Sequence, residues 1–422
     1  MAKQAPALFG SHAVVNAGAL VFAASMVLSI CGFVFHAIAS RCLGVDAYGA
    51  LYALISLMGI AGMPVAVFTP VITKFSAEFT ALHDDGHVRG LIELIVRVFA
   101  VVGAVYVIAG VLLAAPLASY LHVATWEIPI VGVMVAVGIA SGTLRAISQG
   151  VHAYGTYASS MAGEGITKVL GLGAIAFGGL TLFGGTLAFL CGLAAGAVVV
   201  ALPLLRRYQG IAAQVVVLDW PRIFATIGGA LVLTVTMTCI GFADVLLVKH
   251  YFDPQQAGLY AAASLSGKIL MYFVGFVPAV LIPQATHRHA RGEQTRKILW
   301  AAVLFIGVVS VIGIFAYKVA GIVLLHLLVG RAFDAALPLL PTYAAAMAAL
   351  AVTNSLASYG VATHRLAFAV PLLVAVLATL ALIAAVHPSL AAVVGELLIG
   401  NLVMLGAVAV SLGAQGLREA RA

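Results

Sequence analysis

The chain has 422 residues, of which 64% are hydrophobic and only 8% charged, with a formal net charge of +7. Soluble domains are about a quarter charged, so this chain cannot cover a water-facing surface and is expected to be solvated mainly by lipid. The basic excess suits the cytoplasmic loops of a membrane protein. No basic patch is interleaved with exposed aromatics, so no nucleic-acid partner is expected.

A membrane span needs about 20 apolar residues. Twelve runs qualify: 14–40, 48–80, 91–118, 127–152, 157–182, 184–205, 222–250, 257–287, 297–325, 335–361, 365–386 and 388–412. Several exceed 25 residues, which predicts tilt or extension beyond the bilayer. Met1 to Ser11 carries one lysine and no cleavage pattern, so the first run reads as a retained span. Between the first two runs lies Arg41-Cys-Leu-Gly-Val-Asp-Ala-Tyr-Gly49, expected as a loop. The second run carries Pro64 and Pro70 and exits at Lys74 and Glu78.

Charges then occur where lipid makes them costly, at about 2.5–3.5 kcal/mol each on insertion scales. Arg145 lies deep on the cytoplasmic side of the fourth run, as a snorkelling residue or a cavity cation. In the fifth run Glu164 and Lys168 share a helical face. They are either a self-neutralising pair that fixes packing or part of a cavity wall.

The Arg206–Pro221 stretch is the longest hydrophilic gap of the middle, and Asp219-Trp220-Pro221 is a start signal for the next helix. Asp244 sits in the outer half of the seventh run, as a protonation or sodium site or as a partner of a nearby cation. Lys268 is near the middle of the eighth run with no acid within one turn, which favours a cavity role. Pro278 and Pro283 follow it, and Glu396 lies in the outer part of the twelfth run. Prolines free a carbonyl and bend a helix, so the pairs Pro64/Pro70 and Pro278/Pro283 are candidate gates or hinges. Most of the 44 glycines are expected to serve close helix packing.

A weak echo relates the halves. Shifting by 209 places Gly32-Phe33 on Gly241-Phe242 and Gly49 on Gly258. Slipping one residue places Tyr52, Ser56, Leu57 and Pro70 on Tyr260, Ser264, Leu265 and Pro278. The expected organisation is therefore two six-helix lobes, 1–205 and 222–422, joined by a cytoplasmic linker at 206–221, with the working surface between them. Lys3, Lys74, Arg89, Arg206 and Arg207 lead a basic side, against Arg41, Lys249, Lys318 and Arg331 on the other. That bias predicts that both termini are cytoplasmic.

No metal or cofactor is expected. Cys31, Cys42, Cys191 and Cys239 have neither metal-ligand nor disulfide spacing. The sequence contains no GxSxG, HExxH or GxxxxGK[ST], so an enzyme is not expected.

Arg41-Cys-Leu-Gly-Val-Asp-Ala-Tyr-Gly-Ala-Leu-Tyr52 resembles the first-loop motif of the polysaccharide transporter family, which includes the O-antigen flippases. That family belongs to the multidrug/oligosaccharidyl-lipid/polysaccharide flippase superfamily. Ala257-Gly-Leu-Tyr260 resembles the matching place in its second half. Leu328-Val-Gly-Arg-Ala-Phe333 resembles the opening of its tenth helix, and Arg145-Ala-Ile-Ser-Gln-Gly150 the end of its fourth.

The resemblance implies an all-α integral membrane fold, MATE-like, with the two lobes related by a pseudo-two-fold axis along the membrane normal around a cavity that opens alternately to the two sides. It implies a flippase of the inner membrane. The substrate would be an oligosaccharide linked to undecaprenyl pyrophosphate, moved to the periplasmic leaflet for surface polysaccharide, O-antigen or exopolysaccharide. Arg145, Lys168 and Lys268 would be the cavity cations, and Asp244 or Glu164 would hold a coupling proton or sodium ion. A polysaccharide polymerase and glycosyltransferases would be partners. The competing readings are a cation-coupled multidrug extruder, whose first-lobe acid has no counterpart in 14–40, and a non-transporting membrane subunit of a polysaccharide synthase.

Overall fold

The structure is a computed structural model that describes residues 11–419 apart from 177, 180, 218–219, 276, 279–280, 282–284 and 286–294. Its helices are α1 (Ser11–Ala66), α2 (Thr69–Ala81), α3 (Asp85–Leu112), α4 (Ala114–Leu121), α5 (Glu127–Gly150), α6 (Tyr154–Ala176) and α7 (Leu182–Arg207). They continue with α8 (Trp220–Tyr251), α9 (Pro254–Val274), α10 (Arg296–Leu328), α11 (Leu340–Ala362), α12 (Ala369–Ala385) and α13 (Leu390–Glu419). A 3-10 segment, Arg331–Leu339, joins α10 to α11.

Among the described residues, nine helices are long and apolar enough to cross a membrane. The outward faces are apolar as well: Leu112, Leu304, Val370 and Val410 are each about 70% exposed or more. Helices satisfy their own backbone groups, which is what hydrocarbon requires, so the chain is a multi-pass, all-helical membrane protein.

The helix breaks have local causes. The expected break between the first two spans falls at Gly44, where the backbone leaves helical geometry at φ 75°, a conformation that glycine adopts without steric cost; α1 is two helices joined at this kink. Pro64 lies inside α1, the helix stops at Ala66, and α2 restarts at Thr69 with Pro70 in its first turn. A proline there loses no helical hydrogen bond. The third expected span divides at Leu113, the C-cap of α3. Helix α9 ends at Gly275, shortly before Pro278. The Asp219 cap and Pro283 lie outside the described residues.

Other helix starts follow the usual side-chain chemistry. The Asp84 carboxylate accepts the His87 N–H and caps α3, Thr181 does the same for α7 and Asp253 for α9. The His87 backbone and ring hydrogen bonds hold the Asp84 carboxyl below the usual range.

The chain folds as two compact units. One gathers the residues up to Ile38 with Pro64–Ala114 and Ile128–Ile223. Its core includes Ile72, Ile92, Ile147, Val200 and Leu204, closed by Tyr208. The other gathers Ala39–Met63, Ala115–Glu127 and Phe224–Ala422. Its interior is built on α9 and α11, whose small residues, such as Ala261, Ala262, Ala344 and Ala346, are fully buried. Small side chains let helix backbones approach closely.

Four histidines, His83, His122, His152 and His364, have positive φ. Each follows a helix, and the residue after each bonds back into the last turn, as in Arg365 N–H to Gly360 O at 2.7 Å. This is the left-handed helix stop that glycine usually provides. Replacing His83 or His364 with glycine is expected to stabilise the protein by about 0.5–1 kcal/mol, the relief of that strain less the added chain entropy. Thermal unfolding in detergent reads this directly, and an alanine at either position should give no gain.

Candidate functional site

In the first unit three helices build a buried charged cluster. Ser160, Glu164 and Lys168 are four residues apart and so share one face of α6. The Lys168 ammonium donates to Glu164 Oε1 at 2.6 Å. Arg145, from α5, pairs with Glu164 Oε2 at 2.8 Å. Its guanidinium also donates to the Ser160 hydroxyl at 2.8 Å and to the Ser160 carbonyl at 2.9 Å. The Ser160 hydroxyl passes its own hydrogen to the Gly196 carbonyl of α7 at 2.6 Å. The Lys168 ammonium also lies 4.0 Å from the Phe189 ring centroid. One carboxylate thus serves two cations, and the ionised cluster keeps one net positive charge.

Helix α7 makes the room. A Cβ at Gly192 would overlap Lys168 Cγ, and one at Gly196 would lie 2.6 Å from Arg145 Nη2. These two glycines stand four residues apart on the face that meets α6. Sequence reasoning assigns glycines to packing in general and does not single out this pair, Ser160 or Phe189. Their signal is present as Gly-x-x-x-Gly, but the pattern alone does not say which side chain fills the space.

In the second unit Asp244 of α8 is fully buried. Its Oδ2 accepts from Tyr260 at 2.9 Å and from Tyr343 at 2.6 Å, and its Oδ1 has no hydrogen-bond partner among the described residues. Tyr343 and Ser264 are 2.9 Å apart, and Lys268 donates to the Tyr52 hydroxyl at 3.4 Å.

A hydroxyl has one hydrogen to give, so the direction of this chain is fixed when Asp244 is ionised. Tyr343 spends its hydrogen on the carboxylate, and Ser264 must then donate to Tyr343. Ser264 and Tyr343 therefore donate in sequence toward Asp244. Lys268 is 3% exposed, flanked by the Tyr52 and Phe242 rings at 5.4 and 5.5 Å, and forms no salt bridge to a described residue. The Tyr52/Tyr260 and Ser56/Ser264 echo points to this region. Tyr343, which closes the chain onto Asp244, carries no signal in the sequence.

Three of the four segments that carry the family resemblance, 41–52, 257–260 and 328–333, also lie in this unit. Arg41 donates to the His326 and Leu327 carbonyls at 2.5 and 3.0 Å, holding the end of α10. Gly330 turns the chain there at φ 98°, and Phe333 packs edge-on against Tyr48 at 5.5 Å. Gly49 and Gly258, equivalent under the 209-residue shift, touch: a Cβ on Gly49 would lie 2.7 Å from Gly258 N. Arg145 and Lys168 come together in the first unit, whereas Lys268 and Asp244 belong to the second.

No protein-family profile matches the chain, and no curated protein does. Solved structures do. An inward-facing multidrug resistance MATE family transporter of the MOP superfamily superposes with a TM-score of 0.74 at 10% identity, covering 93% of this chain and 94% of that one. The lipid II flippase MurJ, in an inward closed conformation, gives 0.67 at 13% identity over 93% of this chain and 87% of that one. The MATE multidrug transporter DinF-BH gives 0.65 at 13% identity over 98% of each. The chain has the fold shared by the MATE transporters and MurJ. The long α-helices and the breaks near Gly44 and Pro64 are thus parts of one twelve-span, MATE-like architecture.

Two substitutions probe the geometry. Gly192→Ala should cost about 1–3 kcal/mol by forcing Lys168 aside, and the cost should shrink without vanishing in a Lys168→Ala background, where Cγ is gone but the Glu164 carbonyl oxygen still stands 2.8 Å from the new Cβ. A double-mutant cycle of thermal unfolding measures it. Tyr343→Phe should cost about 1–3 kcal/mol, since it leaves a buried carboxylate short of a donor. The same unfolding assay checks this, with Tyr317→Phe as a control outside the Asp244 network.

Proposed function

We propose that the chain is a membrane transporter of the flippase type that moves a lipid-linked oligosaccharide, carried on a polyprenyl pyrophosphate such as undecaprenyl pyrophosphate, across the inner membrane by alternating access. The observation that carries this reading is Lys268: a buried cation in an apolar bundle with no carboxylate partner among the described residues. A charge placed so must be of use, because membrane burial disfavours it. Cations, arginine and lysine alike, are the groups that replace the hydration of a pyrophosphate. Arg145 and Lys168 add a second cationic centre with one positive charge in excess. The fold is shared with a lipid II flippase.

In this reading both termini face the cytoplasm, 206–221 is a cytoplasmic linker between lobes 1–205 and 222–422, and no bond is made or broken. Outward movement of the anionic headgroup gains about 2.3 kcal/mol per charge per 100 mV of inside-negative potential. A proton or sodium ion at Asp244 or Glu164 resets the carrier, and the free Oδ1 of Asp244 offers it an oxygen. The proline breaks at Pro64 and Pro70, with Pro278 and Pro283, serve as hinges. The flipped product feeds a polymerase working with the glycosyltransferases that build the unit.

A second reading, a cation-coupled multidrug extruder, draws on the same Asp244 oxygen and on the fold shared with the MATE multidrug transporters. One vesicle experiment separates the two. Purified protein in liposomes with an inside-negative potential should move a fluorescent polyprenyl pyrophosphoryl sugar between leaflets. Lys268→Ala should slow this at least tenfold, equal to about 1.4 kcal/mol, with insertion unchanged. Transport of a cationic rhodamine dye with no movement of the lipid would establish the extruder instead.

A further inference from the structure

The cluster around Glu164 poses a problem for any anion carrier. Its two cations are already bound. Lys168 holds Oε1 at 2.6 Å and Arg145 holds Oε2 at 2.8 Å. The side chains of Lys168, Glu164 and Arg145 are only 9%, 7% and 13% exposed. A phosphate cannot add to this arrangement as a third party without placing two anions side by side in a low-dielectric site.

The geometry points to an exchange. We propose that Glu164 is a built-in stand-in for a phosphate group: a phosphorylated ligand takes its place on Arg145 and Lys168, and the displaced carboxylate takes up one proton. This rests on the functional reading above and names how that reading's anion is recognised at this centre.

The shape of the site suits the exchange. A carboxylate that receives one cation on each oxygen spans the same pair of donors as two oxygens of a phosphate. Arg145 keeps its position without Glu164, because Ser160 accepts from its Nε and its Nη2, and the Ser160 hydroxyl is itself tied to the Gly196 carbonyl. Lys168 stays against the Phe189 face. The receptor for the ligand is therefore held by contacts independent of the group that leaves.

Charge decides the fate of the proton. Before exchange, Arg145, Lys168 and Glu164 sum to +1. A pyrophosphate diester brings two negative charges, and with Glu164 still ionised the site would reach −1 inside the bilayer. With one solvent proton on a Glu164 oxygen the sum is zero. No covalent bond of the ligand changes; one O–H bond forms on the carboxyl group, and the proton comes from water. The groups facing Glu164 are Arg145 from α5 and Lys168 and Ser160 of its own helix. Helix α7 presents Gly192 and Gly196, and α1 presents Cys31 at the adjoining Gly165. Among the described residues no second acid is there to take the proton instead.

The test is calorimetric titration of the full chain in nanodiscs with farnesyl pyrophosphoryl-glucose, a diester without a titrating group near neutrality. Two buffers of different ionisation enthalpy report the protons exchanged. Close to one proton should be taken up per ligand at pH 7.5, and affinity should fall up to tenfold for each unit of rising pH. Glu164→Gln should abolish the uptake and flatten the pH dependence. The wild-type measurement decides the matter alone if that variant fails to fold. Binding without proton uptake, or uptake that survives in Glu164→Gln, overturns the exchange.

Inorganic pyrophosphate and farnesol separate the sources. Inorganic pyrophosphate competing with the diester at equal affinity would keep the exchange and overturn a lipid ligand, whereas equal binding of farnesol overturns phosphate recognition. If the diester does not bind while vesicles still flip polyprenyl pyrophosphate, the exchange is wrong and the flippase reading stands. If neither occurs, both fall.

Discussion

A charge inside lipid has to be matched, and Glu164 matches two at once. That requirement organises the first unit. Helix α5 brings Arg145 deep enough to reach the carboxylate, α6 repeats its polar positions every four residues, and α7 carries glycine where any side chain would displace the cations. Removing one partner of such a buried network leaves a bare charge, which costs about 3–5 kcal/mol. The cluster therefore ties three helices together more firmly than apolar contact in lipid can, since lipid tails compete equally for apolar surface.

The second unit solves a similar problem without a counter-charge. Asp244 is held by two phenols, one of them backed by Ser264, and Lys268 by a phenol and two ring faces. Such a network has a fixed sense, because each hydroxyl has a single hydrogen: Ser264 donates to Tyr343 and Tyr343 to the carboxylate. Its spine is α9, whose Tyr260, Ser264 and Lys268 recur every four residues, as Ser160, Glu164 and Lys168 do in α6. Close backbone contact allows this, with Gly258 lying against the chain at Val45 and Gly49.

The fold was readable because lipid imposes a simple rule: a run of about twenty apolar residues becomes a helix. Composition alone therefore separated the spans, and prolines and glycines marked where helices break. What composition hid was the tightness of the joint, since a single residue, Gly44, makes the break where a loop of several was expected. The charged positions were readable as well, because each violates the rule. Their partners were not: Glu164 with Lys168 follows from helical spacing, but Arg145 joins them through a tertiary contact over nineteen residues, and Tyr343 reaches Asp244 over ninety-nine. Of the motifs behind the family resemblance, those at 41–52 and 328–333 build a joint, Arg41 on the end of α10 and Tyr48 on Phe333, while the one at 145–150 contributes Arg145 to the charged centre. A fold can thus be recognised from residues that hold it together, while its substrate is decided elsewhere.

The three cations named from the sequence are not equivalent. Arg145 and Lys168 share their charge with Glu164, whereas Lys268 meets only hydroxyl and ring. An incoming anion gains attraction at Lys268 without displacing anything, because a phenol and a ring face do not neutralise an ammonium. At Arg145 and Lys168 it gains only the difference between its own bonds and those of the carboxylate it replaces. The difference follows from one carboxylate, Glu164, standing four residues before Lys168 and having no counterpart before Lys268, where the chain places Ser264.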